Sequence, residues 1–67
     1  MIQVQVNGEP LALQPGATLA DLVAALGQKP EALATAVNGE FVPRDARSAR
    51  PLDDSDAIMT FQPITGG

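Results

Sequence analysis

Two Asn-Gly dipeptides, Asn7-Gly8 and Asn38-Gly39, constrain the fold of this 67-residue chain more than any other feature. Asparagine tolerates a left-handed backbone and glycine adopts it freely, so the pair is the favoured centre of a two-residue type I′ hairpin turn. Each dipeptide is flanked by strand-like sequence. Before the first, Ile2, Val4 and Val6 alternate with Gln3 and Gln5, which puts three β-branched side chains on one face of a strand whose other face is wet. After it, Leu11 and Leu13 alternate with Ala12 and Gln14, so a second strand returns antiparallel to the first. Pro10 has no amide proton to donate, which places that strand at a sheet edge, and Pro15-Gly16 ends it. Around the second dipeptide, residues 33–37 read as a third strand and Glu40-Phe41-Val42 as a short returning one, closed by Pro43.

Between the two hairpins the period changes from two to 3.6. Leu19, Leu22, Val23 and Leu26 recur at i, i+3, i+4 and i+7, one apolar stripe of a helix, with Asp21 and Ala24 pointing away. Thr18 is placed to cap the first turn, with Asp21 three residues on as the capping-box acid. Gly27 supplies a left-handed stop and Pro30 prevents continuation. So short a helix does not persist alone in water and must lie on the sheet.

From Arg44 to Arg50 the chain is polar and basic, with arginines at every third position, and reads as a loop with room for one helical turn. Leu52 plugs the core, Asp53-Asp54-Ser55-Asp56 forms a turn through side-chain-to-backbone bonds, and residues 57–62 form a last strand. Apolar residues on both of its faces place it centrally. The expected fold class is α+β: a mixed sheet of four to five strands with one helix packed across it.

Composition narrows the function. A chain of this length holds one small core, so residues 1–67 are expected to form one domain. Cys and His are both absent, which removes thiol and imidazole nucleophiles, a general base titrating near neutrality, and the usual zinc ligands. The chain is thus expected not to be an enzyme acting alone. A net charge of −4, two Phe, and no Tyr or Trp disfavour a nucleic-acid partner and suit a basic patch on a protein. The alternating pattern begins at the amino end without a visible signal peptide, no apolar run is long enough to span a bilayer, and a cytoplasmic setting is expected.

Candidate sites follow from what remains. The terminal Gly66-Gly67 pair, lacking Cβ atoms, forms a thin thread that can carry a terminal carboxylate into a narrow cleft, and five extended residues from Pro63 reach about 17 Å. A frayed end has the same composition. Asp53, Asp54 and Asp56 do not fit an EF-hand loop, because the places for its glycine and its glutamate hold Ile58 and Ile64; a solvated turn is expected, and no metal site. The arginines compete between a docking role toward acidic groups and an ordinary exposed loop. Ile58 and Phe61 fall on opposite faces of the last strand, one of which a single helix cannot cover, so some apolar surface is expected to stay open. Ile58, Phe61 and Arg44 are the candidate partner surface.

Three local strings resemble one family. Ala36-Val37-Asn38-Gly39-Glu40-Phe41-Val42-Pro43-Arg44 is similar to the ALNGEIVPR stretch of the ThiS family, the sulfur carriers of thiamine thiazole synthesis. Leu52 with Asp54 to Ile58 resembles the family's L-x-D-G-D-x-I approach to the last strand, with Ser55 where glycine is usual. Ile64-Thr65-Gly66-Gly67 resembles its terminal V/I-x-G-G. The resemblance covers the whole chain and implies a β-grasp, ubiquitin-like fold with parallel, central first and last strands.

It also implies a chemistry. Gly67 would be a covalent carrier position, its carboxylate adenylated with ATP and magnesium on a separate adenylyltransferase of the ubiquitin-activating type. Conversion to a thiocarboxylate would follow, with a cysteine desulfurase or another donor supplying sulfur indirectly, and transfer to thiazole synthase. Ile64, Thr65 and Gly66 would enter the partner's active site, and the carrier itself would bind no cofactor. The small subunit of molybdopterin synthase shares the fold and tail but tends to carry two prolines before its glycines, where this chain has Pro63 alone. Carriers for tRNA thiolation or cysteine synthesis are related alternatives. A non-covalent interaction module and a ubiquitin-like protein modifier are readings of a different class.

Overall fold

The computed structural model describes residues 1–27 and 29–62. In chain order the elements are β1 (Ile2–Val6), β2 (Glu9–Leu13), α1 (Leu19–Ala25), a 3-10 turn at Pro30–Ala32, β3 (Ala34–Val37), β4 (Glu40–Val42), a 3-10 helix at Arg44–Ala49, and β5 (Ala57–Phe61). The strands form one five-stranded sheet in the order β2-β1-β5-β3-β4. β1 and β2 are antiparallel, as are β3 and β4 and also β3 and β5, while β1 and β5 run parallel through Gln5↔Ala57 and Val6↔Ile58. The helix crosses one face of this mixed sheet, as expected.

Local sequence chemistry produces these elements directly. Asn7 and Asn38 both lie at φ +52°, followed by Gly8 at +88° and Gly39 at +83°, the left-handed pairs that close tight hairpins. Thr18 and Asp21 form a reciprocal capping box. The Thr18 Oγ1 accepts from the Asp21 N–H at 3.3 Å, and Asp21 Oδ2 accepts from the Thr18 N–H at 2.9 Å. Gly27, at φ +73°, ends the helix. Pro10 occupies the edge strand β2, and β4 at the other edge is three residues long before Pro43, so neither edge offers a long template for pairing.

The core lies between α1 and the sheet, where Leu19 and Leu22 pack with Val4, Val37, Val42, Leu52 and Ile58. Residues of β1 and β5 alternate about this layer: Val4 and Val6 are buried and Gln3 and Gln5 exposed, and Ile58 is buried between exposed Ala57 and Met59. No helix among the described residues is long and apolar enough to cross a membrane.

Two readings, at Arg47 and Ile58, depart from expectation, and Ser55 adds a detail of the turn before β5. The basic segment, read as a loop with room for one helical turn, is a 3-10 helix, and its Arg47 is not on an exposed loop but only 3% exposed. Its guanidinium donates from Nε to Thr35 Oγ1 at 3.1 Å, from Nη1 to the Pro30 carbonyl at 2.9 Å, and from Nη2 to the Leu33 carbonyl at 2.6 Å. Burial first, and the nearby Arg44 charge second, pull its pKa below the usual arginine value, yet guanidinium stays protonated in proteins. Backbone oxygens thus do for this cation what a carboxylate does elsewhere. Ser55 stands at φ +72°, a conformation that glycine adopts freely and in which an L-residue is strained. Ile58, expected on a partner surface, is 1% exposed: its pairing with Val6 and Val37 turns it into the core, and it is withdrawn from the docking face.

Candidate functional site

Gly67, with Ile64, Thr65 and Gly66, lies outside the described residues. The structure defines the base from which they extend. β5 is held on both flanks up to that base. On the β3 side the register runs to Ala34↔Phe61. On the β1 side strand pairing ends at Val6↔Ile58, and the Asn7 side chain continues it: Oδ1 accepts from the Thr60 N–H at 3.0 Å and Nδ2 donates to Thr60 Oγ1 at 2.9 Å, while the Asn7 N–H donates to the Ile58 carbonyl at 2.9 Å. One hairpin asparagine therefore serves as turn residue and as clasp on the last strand.

The start of β5 is fixed in the same way by the other hairpin. Asn38 Oδ1 accepts from the Ala57 N–H at 2.9 Å, Asn38 Nδ2 donates to Asp56 Oδ1 at 3.0 Å, and the Asn38 N–H donates to the Ala57 carbonyl at 2.7 Å. The Asp53 N–H donates to the second oxygen of Asp56 at 2.8 Å. Burial pushes the Asp56 carboxyl up, but the Asp53 and Asn38 hydrogen bonds and the Arg50 charge more than offset it, leaving the pKa below the usual carboxylate range. Asp54 accepts from the Gln3 N–H at 2.8 Å. Two of the three clustered acids are thus committed to shaping the turn into β5.

The face of the sheet opposite α1 carries the exposed large apolar groups. Phe41 is 64% exposed, Phe61 50% and Met59 47%. Register places them together: Ala36 pairs with Phe41 on one side and Met59 on the other, and Ala34 pairs with Phe61. With strands about 4.8 Å apart, Phe41, Ala36 and Met59 form one row across three strands. The small Ala36 lies beneath two large neighbours and is itself buried. Arg44 is exposed and shares a shallow depression with Phe41 and Pro43 at the rim of this face.

Of the three residues expected on a partner surface, the structure thus brings Phe61 and Arg44 to one side of the molecule and puts Ile58 on the other. Sequence reasoning missed Met59 and Phe41. Alternation from a buried Ile58 would have found Met59, and Phe41, alternating with Val42 in a three-residue strand, faces out by the same rule.

Comparison with known proteins follows the same lines. Residues 4–67 match the family model described as the ThiS family. The sulfur carrier protein ThiS of Escherichia coli strain K12 is 32% identical over 66 residues, spanning 98% of this chain and all of that protein. The crystal structure of the thiamine biosynthesis protein ThiS from Geobacter metallireducens superposes with a TM-score of 0.85 at 28% identity, over 98% of this chain and 100% of that one. A solution structure of a thiamine biosynthesis protein from the same organism gives a TM-score of 0.73 at 28% identity, over 98% of this chain and 88% of that one.

Proposed function

This chain belongs to the ThiS family and is a sulfur carrier protein of thiamine biosynthesis, and from that premise we propose that Gly67 is the covalent carrier position. The reading rests on one observation above the others: the family match continues through Gly67, six residues past the end of β5 at Phe61.

The chemistry starts from the weakness of a carboxylate as an acyl donor. A Gly67 carboxylate oxygen attacks the α-phosphorus of ATP, bound with magnesium on an adenylyltransferase of the ubiquitin-activating type, and pyrophosphate leaves. Hydrosulfide, released from a cysteine desulfurase's persulfide by two electrons from a thiol reductant or supplied by another donor, attacks the acyl carbon of the mixed anhydride and expels AMP. The product is a terminal thiocarboxylate, which passes its sulfur to thiazole synthase. The carrier supplies no catalytic group, in keeping with a sequence that lacks Cys and His. Ile64, Thr65 and Gly66 line the partner's channel, and closure over so thin a segment keeps water from the anhydride. Clasped by Asn7 and β3, β5 presents this segment from a fixed root. The open face of Phe41, Met59 and Phe61, with Arg44 at its rim, meets the partner enzymes.

Intact-mass analysis tests the reading. With ATP, the adenylating partner and a sulfur source, the chain gains AMP transiently and then the mass of one oxygen-to-sulfur exchange. A mass that stays unchanged, or the appearance of lysine conjugates in its place, overturns it.

A further inference from the structure

The last strand changes its means of support along its length. On its β1 flank the parallel ladder advances two residues at a time: the Gln5 N–H donates to the Asp56 carbonyl and the Asn7 N–H to the Ile58 carbonyl, both at 2.9 Å. The next bond of that series would run from the Thr60 N–H to the Asn7 backbone carbonyl. At φ +52° Asn7 has already turned into its hairpin, and Asn7 Oδ1 accepts from the Thr60 N–H instead, at 3.0 Å, while Nδ2 donates to Thr60 Oγ1 at 2.9 Å. A carboxamide carries the same kinds of acceptor and donor as a peptide group. It therefore lengthens the ladder where the backbone of β1 has left it.

The place matters because Thr60 stands seven residues before Gly67. On the other flank β3 pairs with β5 as far as Ala34↔Phe61. Held by β3 alone, the end of β5 would be an edge, and strand ends supported on one side open and fray. Held on both, it starts the tail from one position and in one direction. Each backbone residue freed at the root must be ordered again whenever Gly67 is brought to the reacting atoms of a partner, at a cost of about tenfold in rate.

We propose that Asn7 is a positioning residue for Gly67, its side chain fixing the root of the tail through Thr60 for each partner that the tail enters. The proposal deepens the carrier reading and rests on it. Strand alternation puts Thr60 on the helix side of the sheet with Ile58, opposite Met59 and Phe61, so the clasp can be removed without altering the open face. Loss of the clasp thus acts on the rate after docking and leaves docking itself intact.

Asn38 supplies a matched control. It has the same φ of +52°, is likewise followed by glycine, and its Oδ1 holds the Ala57 N–H at the start of β5. Asn7→Gly and Asn38→Gly each keep a residue that accepts the turn and remove one clasp. Adenylation by the activating partner, and sulfur transfer from the preformed thiocarboxylate to thiazole synthase, are measured against carrier concentration at a temperature where circular dichroism shows every variant folded. Asn7→Gly should lower kcat about tenfold in both reactions with KM within about twofold of wild type, and should speed hydrogen exchange of the Thr60 N–H. Asn38→Gly should leave both kcat values within about twofold of wild type. Asn7→Asp, whose carboxylate accepts from both the Thr60 N–H and the Thr60 hydroxyl, should restore most of the rate. An unchanged kcat in Asn7→Gly, equal losses in the two glycine variants, a rise in KM alone, or a loss confined to one partner each overturns the proposal and leaves the carrier reading intact. A wild type that gains no AMP overturns the carrier reading and the proposal with it.

Discussion

The two faces of the sheet are built from the same strands and serve opposite ends. On β5, Ile58 turns toward the helix and is 1% exposed, while Met59 and Phe61, one and three residues on, are about half exposed on the other side. The covered face is closed by Leu19, Leu22 and Leu52 and holds the chain together. Among the described residues no second helix meets the open face, which keeps Phe41, Met59 and Phe61 in contact with water. Side-chain size is similar on the two faces; what separates them is which one the single helix covers.

That contrast breaks down if substitutions on the two faces have equal effects. Ile58→Ala removes a fully buried side chain at the junction of three strands and is expected to cost about 2–5 kcal/mol, read as a lower urea midpoint. Met59→Ser and Phe61→Ser should change stability by no more than about 0.5 kcal/mol, yet weaken association with a partner enzyme in a direct binding measurement. Large destabilisation by either serine variant would show that the open face also belongs to the fold.

A second test sharpens the contrast at the entry to β5. Asn38→Gly keeps a residue that accepts positive φ but removes the side-chain bonds to Asp56 Oδ1 and to the Ala57 N–H, and should cost about 1–2 kcal/mol. Because the Asp56 pKa is lowered on folding, its ionised form stabilises the native state fully above the unfolded-state value and loses that contribution as pH falls through the lower native value. Stability should therefore decline on acidification below about pH 4, and Asp56→Asn should flatten that part of the profile. A change of opposite sign is expected at Ser55. Replacing it with Gly relieves the φ of +72° but frees the unfolded chain, a net gain of about 0.5–1 kcal/mol, seen as a raised Tm. A loss of stability there would mean that the serine side chain contributes something the turn geometry does not reveal.

How much of this was legible depended on whether the deciding partner lay nearby in sequence. The capping box of Thr18 and Asp21 and the two Asn-Gly turns are local, and they read correctly from residue type and spacing. The phase of β5 was not local. Ala57, Ile58, Met59 and Phe61 are all apolar, so alternation alone gives no inside or outside, and the choice is made by register against Val6 and Val37. Arg47 was hidden for a related reason. Its acceptors are the carbonyls of Pro30 and Leu33 and the hydroxyl of Thr35, twelve to seventeen residues away, and carbonyl acceptors leave no mark in a sequence. The clasp of Asn7 on Thr60 likewise spans 53 positions. The resemblance at the tail was legible without any fold, because its motif is contiguous.

The central claim concerns the Gly67 carboxylate, and semisynthesis of the chain with Gly67 as its carboxamide tests it most directly. In a reconstituted system with ATP, the adenylating partner, a sulfur donor and thiazole synthase, the amide should fold as the wild type does and yield no thiazole. Thiazole formation at the wild-type rate from the amidated chain would contradict the account.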